Sequence, residues 1–285
     1  MVAVQLLFFK PDKASEGIAS ELFLICSKLI KLIGFTPTMT ALGQPFIILD
    51  TVNSTNNYAM GQVHAHLASH GAAYFARDQT AGKGQRNKNW KSEPGLNIAL
   101  SVVLEPGQLA AHELFILSAF TSVATHAFFE KWAGDETRVK WPNDIYWRDR
   151  KAGGILIENL LKGQVLGASV AGIGININQT QFPSDLPNPV SLKQITGKDY
   201  DVVEMARSLC GILETWYQLY KSEGEDFILN RYRQVLYKRG EKVRLKKGSR
   251  SFECVVKSVT DDGKLVVLTG DLEEEFDFGE VEWKL

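Results

Sequence analysis

Lys151 is the residue of this chain whose neighbours best fit it for chemistry. The stretch Arg138-Val139-Lys140-Trp141-Pro142-Asn143-Asp144-Ile145-Tyr146 is followed by Arg150-Lys151-Ala152-Gly153-Gly154-Ile155-Leu156-Ile157-Glu158. Residues 138–141 and 154–158 have strand character and bracket a Pro-Asn-Asp turn and a short charged linker, which predicts a strand-turn-strand hairpin. Lys151 stands at the mouth of the second strand, close before a Gly-Gly pair with no side chains to crowd a ligand. A fixed cation beside bare backbone suits a substrate anion. Asp144, two residues after Pro142, has the reading of an Asx turn.

Three further segments carry chemistry. Gln79-Thr80-Ala81-Gly82-Lys83-Gly84-Gln85-Arg86-Asn87-Lys88-Asn89-Trp90-Lys91 is glycine-bearing, with four cations and no acid. Free backbone N–H groups with lysine and arginine make an anion cradle, and Trp90 offers a stacking face. The Walker spacing is missing. Asp50-Thr51-Val52-Asn53-Ser54-Thr55-Asn56-Asn57 is a polar cluster between a strand and a helix. One of its side chains caps the helix; the surplus can serve a small polar ligand. In Ala171-Gly172-Ile173-Gly174-Ile175-Asn176-Ile177-Asn178, the two glycines and asparagines 176 and 178 alternate onto one strand face. Strand glycines mark close approach of another group; the following helix of a dinucleotide fingerprint is missing.

The elements that must position these segments follow from hydrophobic periodicity. Strands are predicted at 44–50, 73–77, 97–104 and 165–175. Helices are predicted from Asn53 or Ser54 through Leu67, over 110–131, 200–223 and 226–236. Pro183, Pro187 and Pro189 mark a loop that ends the sheet region. Beyond Arg239-Gly240 the texture changes to short strands with turn signals, including Asp262-Gly263, which predicts a small appended barrel. Residues 1–38 stand apart: apolar residues from Ile18 to Ile33 recur at helical spacing, interrupted by Lys28 and Lys31, and are too short a run to span a membrane.

Composition excludes several classes. The chain has 285 residues, 45% hydrophobic and 23% charged, with formal net charge −1. That gives no general field for nucleic acid or anionic lipid. Three cysteines, Cys26, Cys210 and Cys254, are far apart and odd in number, so buried reduced thiols are expected rather than a disulfide framework. His64, His66 and His70 form a His-x-His-x-x-x-His pattern; without a carboxylate or cysteine nearby, exposed helical histidines are expected rather than a metal site.

Together the four segments resemble the biotin protein ligases. The resemblance covers 47–285 and rests most on Lys-Trp-Pro-Asn-Asp and the downstream Arg-Lys-x-x-Gly-Ile-Leu. It implies an α+β fold, a mixed sheet with helices related to class II aminoacyl-tRNA synthetases, followed by a small SH3-like barrel. The corresponding division is a leader at 1–38, a catalytic domain at 39–238 and a C-terminal domain at 239–285. It implies a cytoplasmic enzyme that joins biotin and ATP, with Mg2+, into biotinyl-AMP and then biotinylates a lysine of a biotin carboxyl-carrier domain. By resemblance Lys151 is the essential lysine. Ser54, Thr55, Asn56 and Gln79 read the biotin head group, and Lys83, Gly84 and Gln85 lie in the loop that wraps biotin and adenylate. Arg86 and Trp90 belong to the adenylate side, Asn176 contacts the nucleotide, and Asp144 is a magnesium-side or orienting carboxylate where it is not simply an Asx turn. The loop departs from the common Gly-Arg-Gly-Arg-x-Gly-Arg, with Lys83, Gln85, Asn87 and Lys88 at the second, fourth, sixth and seventh positions.

Two alternatives share part of this pattern. A lipoate or octanoate ligase or transferase has the same fold, but its Arg-Arg-x-Gly-Gly-Gly run is missing here. A bifunctional ligase and DNA-binding repressor would carry a winged helix-turn-helix, for which residues 1–38 are short and poor in basic side chains. The expected partner is therefore the carrier domain, with neither nucleic acid nor membrane. Sheet-edge pairing offers a route both to the carrier and to a homodimer.

Overall fold

The computed structural model describes residues 40–106, 109–110, 113–163 and 165–284. The predicted leader helix, Cys26 and His112 lie outside these residues.

The described residues are built on a seven-stranded mixed sheet. Its strands are β1 (Phe46–Val52), β2 (Ala73–Gln79), β3 (Asn97–Leu104), β4 (Thr137–Lys140), β5 (Asp144–Trp147), β6 (Arg150–Lys162) and β7 (Val165–Asn176), in the order β1-β2-β3-β7-β6-β5-β4. β1 and β2 are parallel, joined by helix α1 (Thr55–His64); the other pairs are antiparallel. β3 reads Asn-Ile-Ala-Leu-Ser-Val-Val-Leu and is buried throughout. A near-continuous apolar run of this kind is what a central strand covered on both faces requires.

Alternation divides the core between the two faces. Phe75, Val102 and Leu104 join the main cluster with Phe120, Phe128, Leu209 and Tyr232, which lie on or beside helices α2 (Phe115–Ala133), α4 (Val202–Glu223) and α5 (Glu225–Gln234). Tyr74, Val103 and Val170 face the other way, onto Ala59 and Val63 of α1. α4 starts at an Asp201 cap that accepts from the N–H groups of Val203 and Glu204, the arrangement that satisfies orphan donors of a first turn. The short helix α3 (Leu192–Thr196) opens with a capping box of Ser191 and Gln194.

The β-rich end of the chain forms a second, five-stranded antiparallel sheet. β8 (Lys242–Lys247), β9 (Arg250–Val259), β10 (Leu265–Thr269), β11 (Leu272–Phe276) and β12 (Glu282–Lys284) run in the order β11-β10-β9-β8-β12. Its Leu245, Val256, Leu265 and Phe276 belong to the main core cluster. Trp141 Nε1 donates to Gly263 O at 2.8 Å, and Arg233 Nε to Val259 O at 2.8 Å, so the two sheets are joined by hydrogen bonds as well as packing.

Three expectations are corrected. The predicted single hairpin about Pro142 is a three-stranded meander, because Asp144–Trp147 forms its own strand between the two predicted ones. The helix predicted through Leu67 stops at His64, and His66 has φ +56. His66 and His70 therefore share no helical face; His70 is buried off the helix, its Nδ1 accepting from the Glu105 N–H at 3.1 Å. The helix predicted from 110 begins at Phe115. Cys210 and Cys254 are free and buried, and burial pushes their thiols up to about 12 and about 11. No helix among the described residues is long and apolar enough to cross a membrane.

Candidate active site

One face of the central sheet is hollowed where side chains are missing. At Gly174 an added Cβ would lie 2.6 Å from Trp90 Cε2, and at Gly172 it would collide with the Asn56 amide. These glycines let Trp90 and the start of α1 lie directly on β7. The resulting cleft has a volume of about 870 Å3.

The β3–β7 end of the cleft is a network of polar groups, neutral except for the Glu158 carboxylate. The Thr55 N–H and Oγ1 both donate to Gln79 Oε1, at 2.8 and 3.1 Å. Ser101 Oγ, from β3, lies 2.8 Å from Thr55 Oγ1 and 2.6 Å from Asn56 Oδ1. Asn56 Nδ2 donates to Glu158 Oε2 at 2.8 Å and to Leu156 O at 3.2 Å. Ser54 occupies the N-cap position of α1, yet its side chain makes no capping bond; its own N–H goes to Asn53 Oδ1 at 2.6 Å. A cap hydroxyl normally satisfies the first turn. Here it is left for whatever enters.

The β4–β6 end is cationic. Lys151 Nζ lies 2.7 Å from Asp144 Oδ1. The backbone of Lys151 is clamped on its other side, its N–H donating to Asn188 O at 2.8 Å and its carbonyl accepting from Val190 N at 2.9 Å. Asn176 Nδ2 donates to Val190 O at 3.1 Å and to Lys151 O at 3.4 Å, tying β7 to the same clamp. Asn143 Nδ2 donates to Ile155 O, and Tyr232 Oη to Pro142 O at 2.8 Å, so the turn before Asp144 is fixed from both sides. Lys140 lies beside them, its Nζ donating to Tyr146 Oη at 3.1 Å. Burial lowers the Lys140 pKa to about 8, with Asp144 opposing and Lys151 and Lys88 adding to the fall. Burial, and then Asp144, raise that of Tyr146.

Residues 82–91 form a clasp over this face. Lys83 bridges to Asn89, the Gly84 N–H donates to Lys88 O at 2.6 Å, and the Trp90 N–H to Gly82 O at 2.8 Å. Lys83 Nζ is anchored on Glu158 Oε1 at 3.0 Å and Lys91 Nζ on Asp185 Oδ2 at 3.1 Å. Arg86, at φ +55, lays its guanidinium against Gly279, at the edge of the second sheet.

Ser54, Thr55, Asn56, Gln79, Lys83, Gly84, Gln85, Arg86, Trp90, Asp144, Lys151 and Asn176 all line the one cleft. Asn178, expected beside Asn176, lies past the end of β7 and exchanges hydrogen bonds with the Tyr200 backbone instead. The Asp144 carboxylate is turned to Lys151. Sequence reasoning passed over Ser101, whose signal was a lone hydroxyl in an apolar strand, and Glu158, which joins Asn56 to Lys83. It gave no role to Lys140 and Tyr146, both within residues 138–146, or to Trp283, which meets Lys140 from near the end of the chain. Among the described residues, no group of three or more His, Cys, Asp or Glu side chains could hold a metal ion. The whole cleft suits an elongated ligand with a neutral, hydrogen-bonding head and an anionic tail.

Residues 48–176 match the model of the biotin/lipoate A/B protein ligase family. The chain is 31% identical over 224 residues to the bifunctional ligase/repressor BirA of Salmonella typhimurium, covering 77% of this chain and 68% of that protein. It is 29% identical to the biotin–[acetyl-CoA-carboxylase] ligase of Paracoccus denitrificans, covering 77% and 92%. The structure superposes on the Aquifex aeolicus biotin protein ligase in complex with biotin and ATP with a TM-score of 0.69 at 25% identity, covering 84% and 97%.

Proposed function

This chain belongs to the biotin/lipoate A/B protein ligase family, and we propose that its cleft works as the active site of a biotin protein ligase. The enzyme activates biotin with ATP to biotinyl-5′-AMP and passes the biotinyl group to a lysine of a biotin carboxyl-carrier domain. The observation that carries the reading is the joining of a polar cluster, around an uncapped Ser54 and Asn56, to a fixed cation, Lys151, within one cleft. Biotin has a neutral ureido head that needs donors and acceptors, and a carboxylate tail. A lipoyl or octanoyl group has no such head, so burying the Ser54 hydroxyl against it would leave that hydroxyl poorly used.

In the first step the biotin carboxylate oxygen bonds to the α-phosphorus of ATP and the bond to pyrophosphate breaks. Two anions meet, and Lys151 lowers the cost of bringing them together and of the charge on the transferring phosphoryl oxygens. Asp144 holds the ammonium in place. A magnesium ion accompanying the nucleotide would be held by Asp144, the carboxylate at the cationic end, with phosphate oxygens and water as further ligands, and would offset charge on the phosphates. Ser54, Thr55, Asn56 and Gln79 bind the head group, Lys83, Gly84 and Gln85 fold over it, and Arg86 and Trp90 cover the adenylate. Asn176 acts by holding the Lys151 clamp as well as facing the nucleotide.

In the second step the carrier lysine attacks the acyl carbonyl and AMP leaves. A carrier hairpin can approach by strand pairing along β6 beyond Gly154, where the pairing with β5 ends. Pairing of that edge with a second copy would give a homodimer. The reading divides the described chain at 238/239 into a catalytic part and an SH3-like part, and places the enzyme in the cytoplasm without a role in binding DNA. The test is to incubate the protein with ATP, a carrier domain and equal biotin, lipoate and octanoate, and to weigh the carrier. A biotinyl adduct alone supports the reading; a lipoyl or octanoyl adduct moves the protein to the sister activity.

A further inference from the structure

Lys140 has surroundings that the roles given above leave unexplained. Its side chain is 9% exposed. Its Nζ lies 4.6, 6.0 and 5.3 Å from the ring centroids of Tyr146, Tyr237 and Trp283. These rings come from β5, from the segment after α5 and from β12, so three distant parts of the chain close on one ammonium. Lys83, Lys91 and Lys151 each hold a carboxylate. Lys140 holds none within ion-pair distance among the described residues, and Asp144 is already committed to Lys151.

Ring faces and one phenol offset only part of the cost of burying a cation. A methionine would fill the same aromatic box more cheaply. A cation kept at the wall of a cleft, without a counter-ion of its own, is poised for an anion that arrives with the ligand. Its position says which anion. Across the sheet, the polar head-group cluster lies over β3 and β7, Lys151 is on β6, Asp144 on β5 and Lys140 on β4. The order runs from head group to reacting carboxylate to the far side of the α-phosphate.

We propose that Lys140 is a second anion-binding residue of adenylation, its ammonium held by Tyr146, Tyr237 and Trp283 to receive the pyrophosphate that leaves ATP. The proposal rests on the biotin ligase reading. As the carboxylate oxygen bonds to the α-phosphorus, the electron pair of the breaking P–O bond passes to pyrophosphate. Lys140 donates hydrogen bonds to that growing charge and transfers no proton. The aromatic cage replaces the carboxylate that would otherwise neutralise the ammonium.

The test separates the two half-reactions in Lys140→Met and Lys140→Arg. Biotin-dependent ATP–pyrophosphate exchange by the unaltered protein is measured first; its failure would reject the ligase reading itself. With exchange established, Lys140→Met is expected to lower it about 100-fold, the scale of one lost anion-stabilising donor, and to raise the pyrophosphate concentration giving half-maximal exchange. Transfer from supplied biotinyl-AMP to the carrier should stay within about 3-fold. Lys140→Arg should recover part of the exchange. Unchanged exchange in Lys140→Met, or equal losses in both half-reactions, overturns the proposal and leaves a purely structural cage. Should Lys140→Met fail to fold, reductive methylation of the unaltered protein decides: pyrophosphate must slow modification at Lys140, and an unchanged rate overturns the proposal.

Discussion

Lys151 Nζ meets Asp144 Oδ1 at 2.7 Å although the two residues are not register partners. Asp144 pairs with Gly154 and Lys151 with Tyr146, and the ladder shifts register between Ile145 and Tyr146. The irregularity turns the two side chains toward each other, a use of bulges common beside active sites. The side chains are 32% and 27% exposed. A pair that wet contributes at most about 1 kcal/mol to stability, so its value lies in aiming the ammonium.

Asp144→Asn should therefore separate activity from stability. Thermal melting is expected to move by less than about 1 kcal/mol equivalent, while biotin-dependent adenylation falls by about 10-fold or more as Lys151 loses its orientation. Exchange assays and melts on one preparation check both. Full activity in the variant would deny Asp144 its orienting role.

Gly172→Ala should strike the polar end of the cleft. The new methyl collides with Asn56, and moving that amide disturbs its bonds to Ser101 and Glu158. KM for biotin is expected to rise by about 10-fold or more, with a smaller change for ATP. An unaltered biotin KM would place the head group elsewhere.

Lys140 predicts a dependence of stability on pH. Burial takes its pKa from 10.5 to about 8. Between those values the unfolded chain binds the proton and the folded chain does not, so this residue makes stability rise with pH across that window. Below about pH 8 both states are charged and the whole penalty, about 3 kcal/mol from the shift, is present. Lys140→Met should be the more stable protein at pH 7, by about 1–3 kcal/mol, and the gap should close as pH rises from 8 toward 10. Urea melts across that range check it; a less stable variant at pH 7 is the contrary result.

The clasp at residues 82–91 should tighten on ligand. Arg86 and Lys88 make no ion pair among the described residues, while Lys83 and Lys91 anchor its two ends. Anion binding supplies the missing charge, so trypsin cleavage after Arg86 or Lys88 is expected to slow with biotin and ATP together. Equal cleavage with and without ligand would count against it.

Much of this site was legible in the sequence because its parts are local. The Lys-Trp-Pro-Asn-Asp block, the glycine clasp and the polar run after β1 each declare themselves within a dozen residues, and strand glycines announced the close approach of another group, which the structure shows to be Asn56 and Trp90. Non-local partnerships were not legible. Glu158 reads as the end of an apolar strand until Asn56 and Lys83 are seen on it, and the Lys140 cage is assembled from residues 146, 237 and 283. Asp144–Trp147 went unread as a strand because four residues between turn signals show no period. His70 escaped because the turn at His66 ends the helical spacing that the pattern assumed.

Pyrophosphate exchange into ATP by the purified protein, driven by biotin, with Lys151→Gln alongside, tests the central claim most directly. The account predicts exchange with biotin, little with lipoate or octanoate, and loss by about 100-fold or more in the variant with its fold retained. Exchange in Lys151→Gln at the unaltered rate would contradict the assignment of Lys151, and no biotin-driven exchange by the unaltered protein would contradict the activation of biotin in this cleft.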